Sequence, residues 1–330
     1  MIFSEKKWNK GEEIKQHVKT STALSFNMMG TPLRNAFDTF LVPLLGGKMV
    51  KRLTDIYKSE SLEDEKEKEL LNIAQKANAN LAFYSDFDEI NVRITDSGTQ
   101  RQENEEGGFK SLYQYQEQNL RRSFRNKGFN SLDRMLEYLE LNINSFEDFK
   151  ESGAYTFRQE NIVPSASVAN EFYFIASSRI VFLRMLPHLE FIENTLIRQT
   201  LGEALYKHFK EEMFSESYSG EDKIYFKTLR KDAGRVMVLG AVRRLMIDGG
   251  SLTDRGLYFS SQESSSDNLY KVEKADGIAL EMQLNQLKND LDQAVAILSG
   301  SAKACFPSYA AKNPREAFNR DNTGKRTFFA

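Results

Sequence analysis

Gly46-Gly47-Lys48 is the first place in the chain where residue types and spacing could do chemistry, because a Gly-Lys pair there opens onto an amphipathic stretch. A phosphate-binding loop needs a glycine five residues before that pair and Ser or Thr after the lysine. Backbone amides then cradle the phosphate and the hydroxyl holds magnesium. Val42 occupies the first position and Met49 the second, so both requirements fail. The three histidines, His17, His188 and His208, lack metal-ligand spacing, and the single cysteine, Cys305, has neither a partner for zinc nor an activating motif. Neither a G-x-S-x-G elbow nor a G-x-G-x-x-G fingerprint occurs. Carboxylates abound, but no pair is singled out. The expectation is therefore a protein that is not an enzyme, with no catalytic residue, no metal ligand and no cofactor.

Two basic stretches invite a nucleic-acid reading. Arg121, Arg122, Arg125 and Lys127 surround Phe124, and Arg230, Arg235, Arg243 and Arg244 lie along a second stretch. The net charge of −2 supplies no bulk attraction to phosphate. The first run is read as the solvated face of a helix, and the second as pairing with the abundant acids. The C-terminal stretch differs. Between 312 and 326, Lys312, Arg315, Arg320, Lys325 and Arg326 outnumber Glu316 and Asp321, and Phe328 and Phe329 follow. Basic residues with terminal aromatics suit an arm, 312–330, that docks on a partner.

The chain is 40% hydrophobic and 28% charged, which is a globular composition. With one cysteine it forms no internal disulfide, and no segment approaches the roughly 20 apolar residues of a membrane helix. The N-terminus has no apolar signal core, so a soluble product made in the cytoplasm is expected.

The elements that must position these residues repeat. "TFLVPLLGGKMVKRL" at 39–53 aligns without a gap on "TLIRQTLGEALYKHF" at 195–209, 156 residues downstream. Thr39 meets Thr195, Leu45 meets Leu201, Gly46 meets Gly202 and Lys51 meets Lys207, while Lys48 and Gly47 have no counterpart. "ITDSG" at 94 matches "LTDRG" at 252, and "NSLDRMLEYL" at 130 matches "NDLDQAVAIL" at 289, so the offset drifts slowly to 159. Repeats sought first decide the fold. The sequence reads as mostly α, a tandem duplication of a helical-bundle domain, copy 1 at 1–155 and copy 2 at 156–311, joined by a linker at 151–165.

Within each copy Gly46 or Gly202 is expected to turn the chain between two helices. Thr31 would cap a helix with Pro32 at its first position. Ser61 would open a long helix with a capping box, with Ser219 or Asp222 doing so in copy 2. The charge cluster Glu60–Glu69 reads as a solvated face. A polar excursion follows in each copy, at 95–108 and 253–268, where short alternation in "NVRIT" and "LYFSS" predicts a brief strand or hairpin. Gly128 and Gly277 are expected to break the closing helical regions in two.

The stretches "FDTFLVPLLGGKMVKRL", "VRITDSGTQRQENEE" and "LDRMLEYLELNINSFEDF" together resemble a family of phage and prophage proteins that are similar to head–tail connector, or adaptor, proteins of tailed phages. The likeness spans most of residues 20–150. In the second half Gln199 stands for Pro43 and "VAIL" for "LEYL". The resemblance implies a virion protein made in the host cytoplasm that assembles with itself into a ring, commonly of twelve copies, beneath the portal. It implies the portal, the tail or a neighbouring ring as partners. DNA would pass the channel without sequence-specific binding, and no membrane is involved. A phage- or prophage-encoded helical binding module, monomeric and outside the particle, is the alternative. An enzyme built from scattered acids and arginines would need a deep pocket of convergent carboxylates.

Overall fold

The computed structural model describes residues 1–20, 24–59, 63–90, 92–95, 98–101, 113–153, 155, 161–213, 221–248, 250–253, 256–259 and 277–307. The chain divides into unit 1, Met1–Gln159, and unit 2, Glu160–Ala330.

Unit 1 starts with short turns and the one-turn helix α1 (Glu12–Lys15), which bury Ile2, Phe3, Trp8 and Ile14. Helix α2 spans Phe26–Ala36 and passes through one π-helical turn, Phe37–Leu41, into α3, Val42–Lys58. The start of α2 corrects the expected cap at Thr31. Ser25 holds the extended cap position and Pro32 lies inside the helix. Met29, Leu33 and Ala36 are fully buried along one face, so core packing recruits an extra turn despite the proline.

Helix α4 (Glu65–Ser85) buries Leu70, Ile73, Ala74, Ala77 and Leu81. Its cap is Asp64, whose carboxylate accepts from the Lys66 amide at 2.8 Å. Ser61, the expected cap, lies outside the described residues. The one-turn helix α5 (Phe87–Ile90) leads into the antiparallel pair β1 (Val92–Thr95) and β2 (Gly98–Arg101), with Thr95 opposite Gly98.

Helix α6 (Gln114–Leu141) then packs along α4 without a break at Gly128. The reason is steric. A Cβ on Gly128 would lie 2.6 Å from Leu81 Cγ, so this glycine lets two helices approach. The unit closes with a 3-10 turn, Glu147–Glu151, pinned by the fully buried Phe146 and Phe149.

Unit 2 repeats the plan. Helices α7 (Ala166–Phe172) and α8 (Arg179–Ile192) precede a second π-helical turn, Glu193–Ile197. Helices α9 (Arg198–Leu201) and α10 (Glu203–Met213) follow, then α11 (Glu221–Ile247), strands β3 (Gly250–Thr253) and β4 (Gly256–Phe259), and α12 (Gly277–Cys305). Asp222 lies inside α11 and so is not its cap, while Ser219 is outside the described residues. Gly277 opens α12 and does not divide it, and the residues before it lie outside the described ones.

The expected linker is partly core: Ser152 is buried and Tyr155 packs against Phe149 in unit 1, while Ile162 and Val163 join the core of unit 2. The π-helical turns lie 156 residues apart at both ends, and the two hairpins lie 158 apart.

Gly128→Ala is expected to lower the stability of unit 1 by about 1–3 kcal/mol through the clash with Leu81. Gly300→Ala, where a Cβ meets nothing within 4 Å on a helix, should be neutral or stabilise by up to about 1 kcal/mol. Urea midpoints of the two variants check the pair, and equal shifts would contradict this packing.

Candidate functional site

Gly46 has φ 73° and ψ 164°, and Gly202 has φ 78° and ψ 152°. That backbone region is essentially closed to side-chain-bearing residues, which cost roughly 1–3 kcal/mol there. At Gly46 the turn also brings Ser152 close, since a Cβ would lie 3.3 Å from Ser152 Cα. The corner therefore seats the 3-10 turn Glu147–Glu151 against α3.

This contact forms one wall of an open cleft of about 590 Å³, lined by Lys48, Lys51, Arg52, Asp55, Ile56, Ser59, Glu67 and Asp148. Burial of Met49, Leu53 and Ile56 on one face of α3 turns Lys48, Lys51, Arg52 and Asp55 outward. Arg52 organises the cleft. Its guanidinium donates to Glu67 at 2.9 Å and to Asp148 at 3.4 Å, and lies over the Phe146 ring at 5.1 Å. With Arg52 only 29% exposed, this network is partly shielded from solvent and exceeds a surface ion pair. Lys48 donates to Glu151 at 2.6 Å, and that bond raises the lysine above its usual range. Lys51 and Asp55 line the same cleft without an ion pair among the described residues. The cleft thus joins fixed cations and carboxylates on one rim.

The corresponding place in unit 2 is built from different side chains. His208, 156 residues beyond Arg52, meets the edges of Phe226 at 5.3 Å and Phe306 at 6.4 Å. Phe306 lies 160 beyond Phe146. A cation over a ring has become an aromatic cluster.

Unit 2 carries its own charged centre at the π-helical turn. Buried Glu193 accepts from Tyr206 at 2.9 Å and pairs with Lys210 at 2.7 Å. Burial, then the Glu193 charge, pushes Tyr206 above the normal tyrosine range. In unit 1 a comparable centre ties the N-terminal segment down. Glu13 accepts from Tyr57 at 3.2 Å and from Gln75 at 3.0 Å, and Gln75 also donates to the Ile2 carbonyl at 2.9 Å. Burial raises Glu13 and lowers His17.

Among the described residues Arg230, Arg235, Arg243 and Arg244 form no ion pair, which corrects the reading that they pair with acids. Arg230 donates to the Ile162 carbonyl at 3.2 Å, and Arg244 lies 3.9 Å over the Phe191 ring, because carbonyls and rings face the partly buried flank of α11. Arg121 pairs with Asp88 at 3.4 Å, and Arg122 and Lys127 are exposed. The cluster at Glu63–Lys66 is exposed, but Glu67 turns inward to Arg52. Lys312, Arg315, Arg320, Lys325, Arg326, Phe328 and Phe329 lie outside the described residues. Among the described residues no group of His, Cys, Asp and Glu could hold a metal, and no helix is long and apolar enough to cross a membrane.

A family model, a family of unknown function designated DUF6712, matches residues 41–159 and again 197–318. The chain belongs to this family. The two matches begin 156 residues apart and end 159 apart, the same drift seen between the repeated segments, so the chain is a tandem duplication of one helical domain. Each match begins inside or at the end of a π-helical turn and takes in the glycine corner, the long helix and the hairpin. No curated protein and no solved structure matches the chain.

Arg52→Met is expected to destabilise unit 1 by about 1–2 kcal/mol, since two carboxylates lose their shared partner. Chemical denaturation of the full chain measures this, and an unchanged midpoint would show that the network contributes nothing.

Proposed function

We propose that the protein is a structural component of a tailed-phage virion, a head–tail connector that closes into a ring beneath the portal. The observation carrying this reading is the exposure of large apolar side chains on the helix that follows the first hairpin in the chain and on the helix that precedes the second. Tyr113 and Tyr115, 68% and 47% exposed, stack with centroids 5.9 Å apart at the start of α6, which follows the first hairpin. Ile247, 56% exposed, ends α11 just before the second. The stacked tyrosine pair left in solvent supports a surface that meets another protein.

The duplicated helical domain supports the same reading. Two related but unlike units offer two different faces, as a head-to-tail contact requires, and such a contact closes into a ring when its rotation fits. The charged cleft adds electrostatic registration to the apolar contacts. In this reading the arm at 312–330 reaches the portal, the tail or a neighbouring ring, and DNA passes through the channel without sequence-specific binding.

Native mass spectrometry and electron microscopy of the purified full chain at high concentration test the proposal. One closed stoichiometry with an open centre is expected. A monomer at every concentration would reject ring formation and favour a binding module that works outside the particle.

A further inference from the structure

His188 stands on α8, below the place where α11 gives way to the second hairpin. Its Nδ1 accepts a long hydrogen bond from Arg244 Nε at 3.4 Å, and its Nε2 lies 3.5 Å from Asp248 Oδ2. Asp248 is the first residue after α11, two before β3 begins. Accepting at Nδ1 requires the neutral ring with its proton on Nε2, the nitrogen nearer Asp248.

We propose that His188 makes the foot of the second hairpin pH-responsive, loosening the junction of α8 and α11 on acidification. A second proton on Nδ1 points at the Arg244 guanidinium. Donor then meets donor and cation meets cation. Asp248 attracts the charged ring, but at 60% exposure its pull is screened by solvent. Arg244 is not free to retreat without leaving the Phe191 ring beneath it.

Among the described residues, the charged groups acting on this imidazole are Arg244 and Asp248, both contributed by α11 and the residue that follows it. Helix α7, the π-helical turn Glu193–Ile197 and the rest of α8 contribute none. Burial lowers His188, Asp248 raises it and Arg244 lowers it, with a net fall below the ordinary value of about 6.5. With the folded-state value depressed, the stabilisation is present above about pH 6.5 and is lost as pH falls through the folded value.

The first hairpin supplies the comparison within the same molecule. Asp88, four residues before β1, pairs with Arg121 at 3.4 Å. A guanidinium holds its charge throughout the range where histidine titrates. The two hairpin feet are therefore built alike, from a carboxylate and a basic side chain, but one of them is titratable near neutrality. This inference does not depend on ring assembly.

Hydrogen–deuterium exchange of the full chain at about pH 7.5 and about pH 5.5, corrected for intrinsic exchange, tests it. Peptides covering 244–253 should exchange several-fold faster at the lower pH, and peptides covering 88–95 should not. His188→Gln keeps an acceptor for Arg244 and cannot titrate, so its response should be flat. Arg244→Gln removes the facing cation and should shrink the response, which keeps the test alive if the first variant folds poorly. No acceleration in the natural chain, or an undiminished response in either folded variant, would overturn the proposal.

Discussion

Each copy of this domain depends on one glycine held where other residues do not go. Gly46 and Gly202 adopt nearly the same positive-φ, extended-ψ conformation five residues after a π-helical turn. The corner re-aims the helix that follows, so that Leu53 and Ile56 in one copy and Leu205 and Phe209 in the other enter the core. In unit 1 it also allows Ser152 to approach the backbone, which seats Asp148 and Glu151 beside Arg52 and Lys48. In unit 1 the corner thus positions residues that build the charged cleft.

The duplication separates what the fold requires from what it merely permits. Both copies keep the π-helical turn, the corner, the long helix and the two-stranded hairpin. Unit 1 places a paired cation over a ring where unit 2 stacks His208 against two phenylalanines. Buried Glu193 occupies the position of Phe37, 156 residues earlier, and needs Tyr206 and Lys210 to satisfy it. A charged cleft and a buried carboxylate are thus additions to a scaffold that holds without them.

Much of the scaffold is legible in the sequence because it is encoded locally. Helical spacing reveals the apolar faces of α4 and α11, Asp-x-Gly turns between alternating residues reveal the hairpins, and Gly46 aligned with Gly202 reveals the corner. Other features depend on contacts distant in sequence. Gly128 reads as a helix breaker until Leu81 is seen pressed against it. Pro32 reads as a first-turn proline until the burial of Met29 extends the helix backward. Arg52, Glu67 and Asp148 are separated by up to 96 residues, so no local motif announces them. One signal was present in the sequence: Glu193 interrupts an otherwise apolar face between Ile192 and Ile197.

As proposed, the chain belongs to a particle and closes its ring through unlike faces of its two units. The most direct measurement is a census of DNA-filled particles purified by density gradient, with the copy number of this chain set against that of the portal by quantitative mass spectrometry. Copies roughly equal to those of the portal are the expected result. Absence of the chain from intact particles would contradict the account.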